Sequence, residues 1–262
     1  LNRSDVLWWT ALPPSPPAVP VKVTPRVQVR MAKEPAVPPP PNLWYPDKFD
    51  PDSDLRIQAL GALMKTDAEK VVPLLGQIAF ESDNPGPAMR AVFMLAQSSL
   101  PTARATVVRV AMTGPEPVRI AAVRDLGRFG GPETSKDLLN VYTTANEPVR
   151  LQIVKALGER ADGVALLQIV ESEKDGTLRF NAIAGLGQAG GAEKLARMYK
   201  TASLPRKRPI IVGLFRARAD VELIQICDTE PDPSLRNEAL DRLRLLGTPK
   251  AKEYLQKVSE KR

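Results

Sequence analysis

The chain contains no histidine and only one cysteine, Cys227, and both shortages exclude classes of function. Without histidine there is no Ser-His-Asp triad, no histidine acting as general acid or base and no histidine metal ligand. A single cysteine rules out an internal disulfide bond and a cysteine-cluster site for zinc or iron–sulfur. A metal held by carboxylates alone remains open on composition. No spacing of acidic residues indicates one, and we expect neither a metal nor another cofactor.

Aromatic residues and long apolar runs are also scarce. Only 13 of the 262 residues are aromatic, so the core has to be built mainly from Leu, Val, Ile and Ala. No apolar run approaches the roughly 20 residues that span a bilayer as a helix. The net charge of +7 permits an acidic partner without requiring one.

Prolines divide the chain near residue 50. Thirteen of the 26 prolines and all three tryptophans lie in residues 1–51. Because proline fixes φ and lacks an N–H, the proline runs at 13–17 and 38–41 predict an extended arm over residues 1–50, with polyproline-II character. Between these runs, valines alternate with polar residues in the period of a half-buried edge strand. These valines are Val21, Val23, Val27 and Val29.

A disordered linker is the plain alternative for this arm, but its aromatic content argues for a binding role. We expect Trp44 and Tyr45, together with Phe49, to pack on the first helices of the following domain. Trp8 and Trp9 are expected to fill a pocket on a partner or to lie at a membrane interface. The valine strand is a candidate for pairing with a sheet edge of another chain.

Residues 51–262 contain an internal repeat of 28–32 residues. A leucine ladder marks the copies: Leu63, Leu95, Leu126, Leu157, Leu186, Leu214 and Leu243. Seven positions before the leucine most copies have a basic residue, namely Arg56, Arg119, Arg150, Arg179, Lys207 and Arg236, whereas the second copy has Ala88. Within each copy apolar residues recur with the helical period on either side of a polar or glycine-containing break. The pattern predicts two helices per copy and about fourteen in all.

The Val/Leu-Arg pair, the Ala156-Leu157-Gly158 end of the first helix and the apolar second helix resemble HEAT repeats. They are most similar to the short HEAT-like repeats also found in phycobilisome lyases. The resemblance implies an all-α solenoid of about seven helix–turn–helix repeats over residues 51–262, with the second helices on the concave face. As such repeats occur in scaffolds, adaptors, nucleic-acid binders and a few enzymes, the fold alone does not assign a function.

Two basic features are candidate binding sites. The basic ladder recurs in one slot of each repeat, so we interpret it as structural, binding neighbouring helix ends rather than phosphates. A second feature is the window 194–218, which has eight cations and no acidic residue: Lys194, Arg197, Lys200, Arg206, Lys207, Arg208, Arg216 and Arg218. It is either a solvated cationic face or a site for an acidic protein surface, an anionic lipid or a nucleic acid.

Three other features have structural interpretations. Cys227 lies in an apolar second helix and is expected to be buried. Glycines at the ends of the first helices are expected to adopt positive φ there; they are Gly130, Gly131, Gly185, Gly187, Gly190 and Gly191. The carboxylates near the C-terminus, Asp220, Glu222, Asp228 and Glu230, are expected at the surface.

These observations favour a non-catalytic interaction or scaffold subunit whose solenoid and arm dock onto partner proteins of a larger assembly. A nucleic-acid-binding solenoid, like the HEAT-like DNA glycosylases, and a lyase-like chromophore-handling protein are the alternatives. HEAT-like deoxyhypusine hydroxylases are excluded because they need His-Glu metal motifs. The absence of an initiator Met and the Pro/Trp-rich arm favour an exported, periplasmic bacterial protein that is associated with a membrane, with a cytoplasmic location as the alternative.

Overall fold

The computed structural model describes residues 51–80 and 84–260, and this part of the chain forms fourteen α-helices. The helices alternate as the first and second helices of seven repeats, which confirms the predicted all-α solenoid. The first helices are α1 (Pro51–Leu63), α3 (Pro85–Ala96), α5 (Glu116–Phe129), α7 (Glu147–Glu159), α9 (Gly176–Gln188), α11 (Leu204–Arg216) and α13 (Pro233–Leu246). The second helices are α2 (Ala68–Phe80), α4 (Pro101–Thr113), α6 (Thr134–Thr144), α8 (Gly163–Ser172), α10 (Ala192–Thr201), α12 (Asp220–Thr229) and α14 (Pro249–Glu260).

The predicted arm lies outside the described residues. The valine strand and the aromatic anchors Trp8, Trp9, Trp44 and Tyr45 therefore stay predictions.

The leucine ladder forms the centre of a continuous core from the second repeat to the last, where every ladder leucine is at most 2% exposed. The first repeat was predicted in the wrong register. Leu63 is 49% exposed, and Leu60 is the buried leucine of α1. Ile57, Leu60 and Leu63 are spaced three residues apart, so successive side chains rotate by about 60° around the helix and only two of them face the core. Arg56 was assigned to the basic ladder because it lies seven residues before Leu63. Since Leu60 is the buried leucine, Arg56 does not occupy the position of the basic ladder.

Glycines inside the first helices allow those helices to approach one another closely. A Cβ on Gly187 would lie 2.1 Å from the carbonyl oxygen of Gly213, and one on Gly127 would lie 2.7 Å from the Cβ of Ala156. Neighbouring first helices are in closer contact along the array than neighbouring second helices. Small residues thus let neighbouring first helices pack closely, and the expectation that the second helices line the concave face stays a prediction.

Positive φ occurs at one equivalent position, the fourth residue after the ladder leucine, in each of the last four repeats. These residues are Ala161 (54°), Gly190 (79°), Arg218 (55°) and Gly247 (59°). In three of them the next backbone N–H donates to the ladder carbonyl: Asp162 to Leu157 at 3.0 Å, Gly191 to Leu186 at 2.9 Å and Ala219 to Leu214 at 3.0 Å. This is the hydrogen bond of a left-handed helix C-cap. Among the glycines predicted to have positive φ only Gly190 does, so the prediction was wrong for Gly130, Gly131, Gly185, Gly187 and Gly191.

The third repeat ends in a different way. Gly130 has φ of −69°, and the guanidinium of Arg160 from the next repeat donates hydrogen bonds to the carbonyls of Gly127, Gly130 and Gly131, each at 3.0 Å. A charged side chain thus satisfies the free carbonyls at the end of α5. The same contacts bind the third and fourth repeats together.

The basic ladder is structural, as predicted. Arg119 donates to the carbonyl of Ala111 at 3.0 Å, and Arg150 donates to the carbonyl of Tyr142 at 3.1 Å. Arg236 likewise donates to the carbonyl of Glu230 at 2.8 Å. Each of these arginines reaches the C-terminal end of the preceding second helix, where the carbonyls lack partners and a positive charge is favoured.

Candidate functional site

On each first helix, three positions point away from the second helices. They lie six residues before, two residues before and two residues after the ladder leucine. They are spaced four residues apart and so share one side of the helix. From α3 to α11 these positions hold Met89, Phe93, Gln97, Ile120, Arg124, Arg128, Leu151, Lys155, Glu159, Phe180, Ala184, Gln188, Arg208, Val212 and Arg216. All fifteen side chains are exposed or half-buried. We call this surface the first-helix face.

An apolar row crosses this face at the position six residues before the ladder leucine. It consists of Met89, Ile120, Leu151 and Phe180, of which Leu151 is 41% and Phe180 39% exposed. Because packed helices lie about 8–10 Å apart, four helices give a row roughly 30 Å long. Contiguous exposed apolar surface of this kind is typical of a binding site.

The second-helix side of the array has a half-buried apolar row, Val108, Leu139, Leu167 and Ile224, but none of these side chains is as exposed as Leu151 or Phe180. Eight of the eleven large hydrophobic side chains that are exposed lie on first helices, and three of these eight, Phe93, Leu151 and Phe180, lie on the first-helix face. The three on second helices, Leu74, Val164 and Val221, lie on α2, α8 and α12, which are not neighbours. The exposed apolar residues of neighbouring first helices make the first-helix face the candidate binding surface.

Charge on this face is strongly one-sided. It carries five cations and one carboxylate, Glu159. Arg124 pairs with the buried Asp125 at 2.9 Å. Arg128, Lys155 and Arg216 form no ion pair with any other described residue, and the guanidinium of Arg128 lies 5.3 Å from the ring centre of Phe129. Arg208 lies 3.9 Å from Glu238, so the face combines an apolar row with three cations, Arg128, Lys155 and Arg216, that have no acidic partner among the described residues.

Two open grooves adjoin the N-terminal end of the face. One, of about 770 Å³, lies between α1 and α3 and is lined by Ile57, Met64, Phe93 and Met94, among others. The other, of about 790 Å³, reaches from α3 to α6; its lining includes Leu100, Arg104, Phe129 and Asp137. The rings of Phe93 and Phe129 meet edge to face, with centres 5.4 Å apart, so an aromatic pair lies between the two grooves.

The basic window 194–218 does not form one patch. Because α11 is 13 residues long, its two ends lie about 20 Å apart. Lys200, Arg206 and Arg208 are placed near its N-terminal end, whereas Lys194, Arg216 and Arg218 are placed near its C-terminal end. Lys207 pairs with Glu230 at 2.7 Å, and Arg197 pairs with Glu193 at 3.6 Å. Binding of a partner by any of these eight cations stays a prediction.

The residues that sequence reasoning missed form two buried nodes between repeats. In one, Tyr199 and Lys207 both donate to the carboxylate of Glu230 at 2.7 Å. In the other, Tyr142 donates to Glu173, and Arg150 lies 3.7 Å from the same carboxylate. Corresponding members are 57 residues apart, which is two repeats, and this recurrence was visible in the sequence. The expectation that Glu230 lies at the surface was wrong, because its side chain is 2% exposed.

The chemistry of the nodes is structural. Burial by itself raises the pKa of Glu230, but hydrogen bonds from Lys207 and Tyr199 outweigh it and hold that pKa below its ordinary value. Burial and the bond to Glu230 raise the pKa of Tyr199 well above its ordinary range. The Glu230 carboxylate therefore stays ionised and the Tyr199 phenol stays neutral across the physiological pH range. Such groups hold helices together and are unsuited to proton transfer near neutral pH.

Other candidate chemical sites give the following results. Cys227 is buried as predicted, and burial raises the pKa of its thiol to about 12. Within residues 51–80 and 84–260, no group of three or more acidic or cysteine side chains is placed to hold a metal ion. No helix in the same ranges combines the length and the apolar character needed to cross a membrane.

Comparison with known proteins supports the repeat architecture. A family model described as HEAT repeats matches residues 72–158 and 112–187. No curated protein matches the chain. Among solved structures, the complex of CpcE and CpcF of phycocyanin lyase from Nostoc sp. PCC7120 aligns with 87% of this chain and 97% of that chain, at 16% identity and a TM-score of 0.37. Similarity at this level transfers neither the activity nor the partners of that complex.

Proposed function

We propose that this chain, which is a HEAT-like repeat protein, is a non-catalytic scaffold or interaction subunit that docks partner proteins on its first-helix face. The observation that carries the proposal is the unequal distribution of exposed apolar side chains. Phe93, Leu151 and Phe180 are each about 40% exposed on the first-helix face, and Leu151 and Phe180 lie on neighbouring helices, whereas the exposed Leu74, Val164 and Val221 lie on second helices that are not neighbours.

The dimensions of the face suit such a role. Five helices spaced about 9 Å apart, with side chains covering about 20 Å along each helix, present roughly 700 Å². A standard interface buries about 800 Å² on each partner. Burying the exposed part of each apolar side chain contributes about 1 kcal/mol, so the row supplies a useful fraction of a binding free energy.

The assignment of a non-catalytic role is supported by the contacts of the two buried carboxylates, which bind neighbouring repeats to each other. Glu173 and Glu230 each accept hydrogen bonds from a tyrosine and face a basic residue of a neighbouring first helix. Both carboxylates are engaged in holding adjacent repeats, and neither opens into the grooves near Phe93 and Phe129.

The N-terminal arm is proposed to add a second contact to the same partner. This part of the proposal rests on sequence: tryptophans such as Trp8 and Trp9 are typical interface anchors, and the proline runs predict an extended arm. Deletion of residues 1–45 is expected to weaken partner recovery without changing the helix content measured by circular dichroism. Unchanged recovery would remove the arm from the binding surface.

The first-helix face is tested by quantitative co-purification from the native host, with the full chain as bait. One bait carries Leu151→Asp and Phe180→Asp on the face. A matched control carries Val164→Asp and Val221→Asp, two exposed apolar residues of second helices. We expect the face variant to lose at least tenfold of the partners that the wild type enriches, and the control to keep them. Equal recovery by both baits would contradict the proposal.

A further inference from the structure

We infer that the partner segment docking on the first-helix face is acidic and bears apolar side chains, an inference that rests on the proposed function. The face has five cations against one carboxylate, next to a row of four apolar side chains. A partner that matches this surface carries carboxylates alongside hydrophobic residues.

Elsewhere in the solenoid, cations that serve the fold bind backbone carbonyls at helix ends or acidic side chains. Arg104 contacts Asp137 at 2.9 Å, and Lys207 contacts the buried Glu230 at 2.7 Å. On the first-helix face, Arg128 and Lys155 have no such partner among the described residues. These two cations therefore do not take part in the ion pairing that joins the repeats, and their charge is available to another molecule.

The arrangement of the cations is unfavourable for the chain alone. Arg124 and Arg128 are four residues apart on α5, a spacing at which like charges destabilise a helix. Lys155 and Glu159 occupy on α7 the positions that Arg124 and Arg128 occupy on α5, about 9 Å away. Because Arg124 is paired with Asp125, the positive charge that carboxylates of a bound segment would meet in this region is that of Arg128 and Lys155.

The apolar row and the cations run side by side. On α5 and α7 the apolar residue precedes the cation by four positions, as in Ile120 and Arg124 or Leu151 and Lys155, which is about 6 Å along the helix. A segment lying across the helices can place hydrophobic side chains on the row and carboxylates over the cations. Nucleic acid satisfies only the cations, because a row of Met, Ile, Leu and Phe side chains offers nothing to phosphates.

The test measures binding of dye-labelled probes to the full chain by fluorescence anisotropy. The first probe is a 20-residue peptide alternating Glu with Leu or Phe. The second replaces each Glu with Lys, the third replaces each Leu or Phe with Ser, and the fourth is a 20-nucleotide DNA, single-stranded or duplex. We expect the acidic apolar peptide to bind at least tenfold more tightly than the others, and more weakly as salt is raised. Absence of measurable binding, or equal or tighter binding of the Lys peptide or DNA, overturns the inference.

Charge-reversal variants show where the acidic apolar peptide binds. Arg128→Glu combined with Lys155→Glu is expected to weaken binding of the acidic apolar peptide at least tenfold. The matched control, Arg197→Glu with Lys200→Glu, changes one arginine and one lysine on the exposed side of α10 and is expected to alter the Kd less than twofold. A larger loss in the control would place the site in the basic window instead and overturn the inference.

The two proposals fail in distinguishable ways. If co-purified partners are lost with Leu151→Asp and Phe180→Asp but kept with Arg128→Glu and Lys155→Glu, the face binds proteins and only the acidic character of the partner is wrong. If neither pair of substitutions changes recovery, the proposed function itself fails.

Discussion

The buried carboxylate of Glu230 provides a quantitative test of how the repeats are joined. Its side chain is 2% exposed and accepts hydrogen bonds from Tyr199 and Lys207, both at 2.7 Å. Its other oxygen accepts the backbone N–H of Asp232 at 3.2 Å. Replacement of Glu230 by Ala removes every one of these acceptors and leaves the donors in place.

The size of the effect follows from what is left unpaired. Breaking a buried ion pair by removing one member destabilises a protein by about 3–5 kcal/mol. The Lys207 side chain is 18% exposed and regains some hydration, which lowers its share, whereas the phenol of Tyr199 becomes a buried donor without a partner. We therefore expect Glu230→Ala to lower the free energy of unfolding by about 3 kcal/mol.

Urea denaturation of the full chain, followed by circular dichroism, measures this change. Glu171→Ala, at an exposed position on α8, is the control and is expected to change stability by less than about 0.5 kcal/mol. Hydrogen exchange should place the loss of protection in α10–α13, because repeat arrays can unfold locally. A change below 1 kcal/mol for Glu230→Ala, or an equal change for the control, would refute the role of the node.

Three further predictions concern the turns, the helix contacts and the response to acid. Ala161→Gly is expected to raise stability by about 0.5–1 kcal/mol in thermal or urea denaturation, because Ala161 has φ of 54°, where an L side chain is strained. A variant less stable than the wild type would show that Ala161 is not strained. Gly187→Ala is expected to destabilise the protein by at least about 3 kcal/mol, because the new Cβ would clash with a backbone oxygen. The control Gly158→Ala, whose Cβ meets nothing closer than 3.7 Å, is expected to be within about 1 kcal/mol of the wild type. Equal effects of the two substitutions would refute the close approach of the first helices. Hydrogen bonding holds the pKa values of Glu173 and Glu230 below those of the unfolded chain, so their contribution to stability is full above the unfolded pKa and is lost as pH falls through the folded pKa. The urea concentration at the unfolding midpoint should therefore decrease as the pH is lowered below about 4.5, and it should decrease less steeply in the double variant Glu173→Gln, Glu230→Gln.

The repeat architecture was predictable because each copy carries the same local signals. The leucines from Leu95 to Leu243 recur with their flanking apolar residues, and stacking buries all of them in the same way. The first copy was placed three residues out of register. In α1, Leu60 and Leu63 both fit a helical stripe, so the sequence alone does not decide which of the two is buried.

The first-helix face was not predicted because its residues are neighbours across successive repeats rather than along the chain. The window 194–218 is continuous in the chain, but the antiparallel helices α10 and α11 carry its cations to opposite ends of the repeat. Arg128 and Lys155 come together from different repeats because they lie on adjacent helices. Aligning the residues two before and two after each ladder leucine would have revealed them.

The buried nodes had a signal in the sequence that was overlooked. Tyr142, Arg150 and Glu173 recur 57 residues later as Tyr199, Lys207 and Glu230, with one conservative change. A single-repeat alignment hides this recurrence because its period is two repeats. Partners 31 residues apart also meet only after the second helices are stacked, so burial of Glu230 could not follow from its local sequence of polar residues.

Site-specific photo-crosslinking in the native host tests the central claim most directly. A photoreactive amino acid replaces Leu151 on the first-helix face in one full-length variant and Val164 on the second-helix side in another, and crosslinked products are separated by size and identified by mass spectrometry. If partners bind the first-helix face, we expect a specific protein adduct from position 151 and none from position 164. Adducts from position 164 alone, or equal adducts from both positions, would contradict the assignment of the first-helix face as the binding surface.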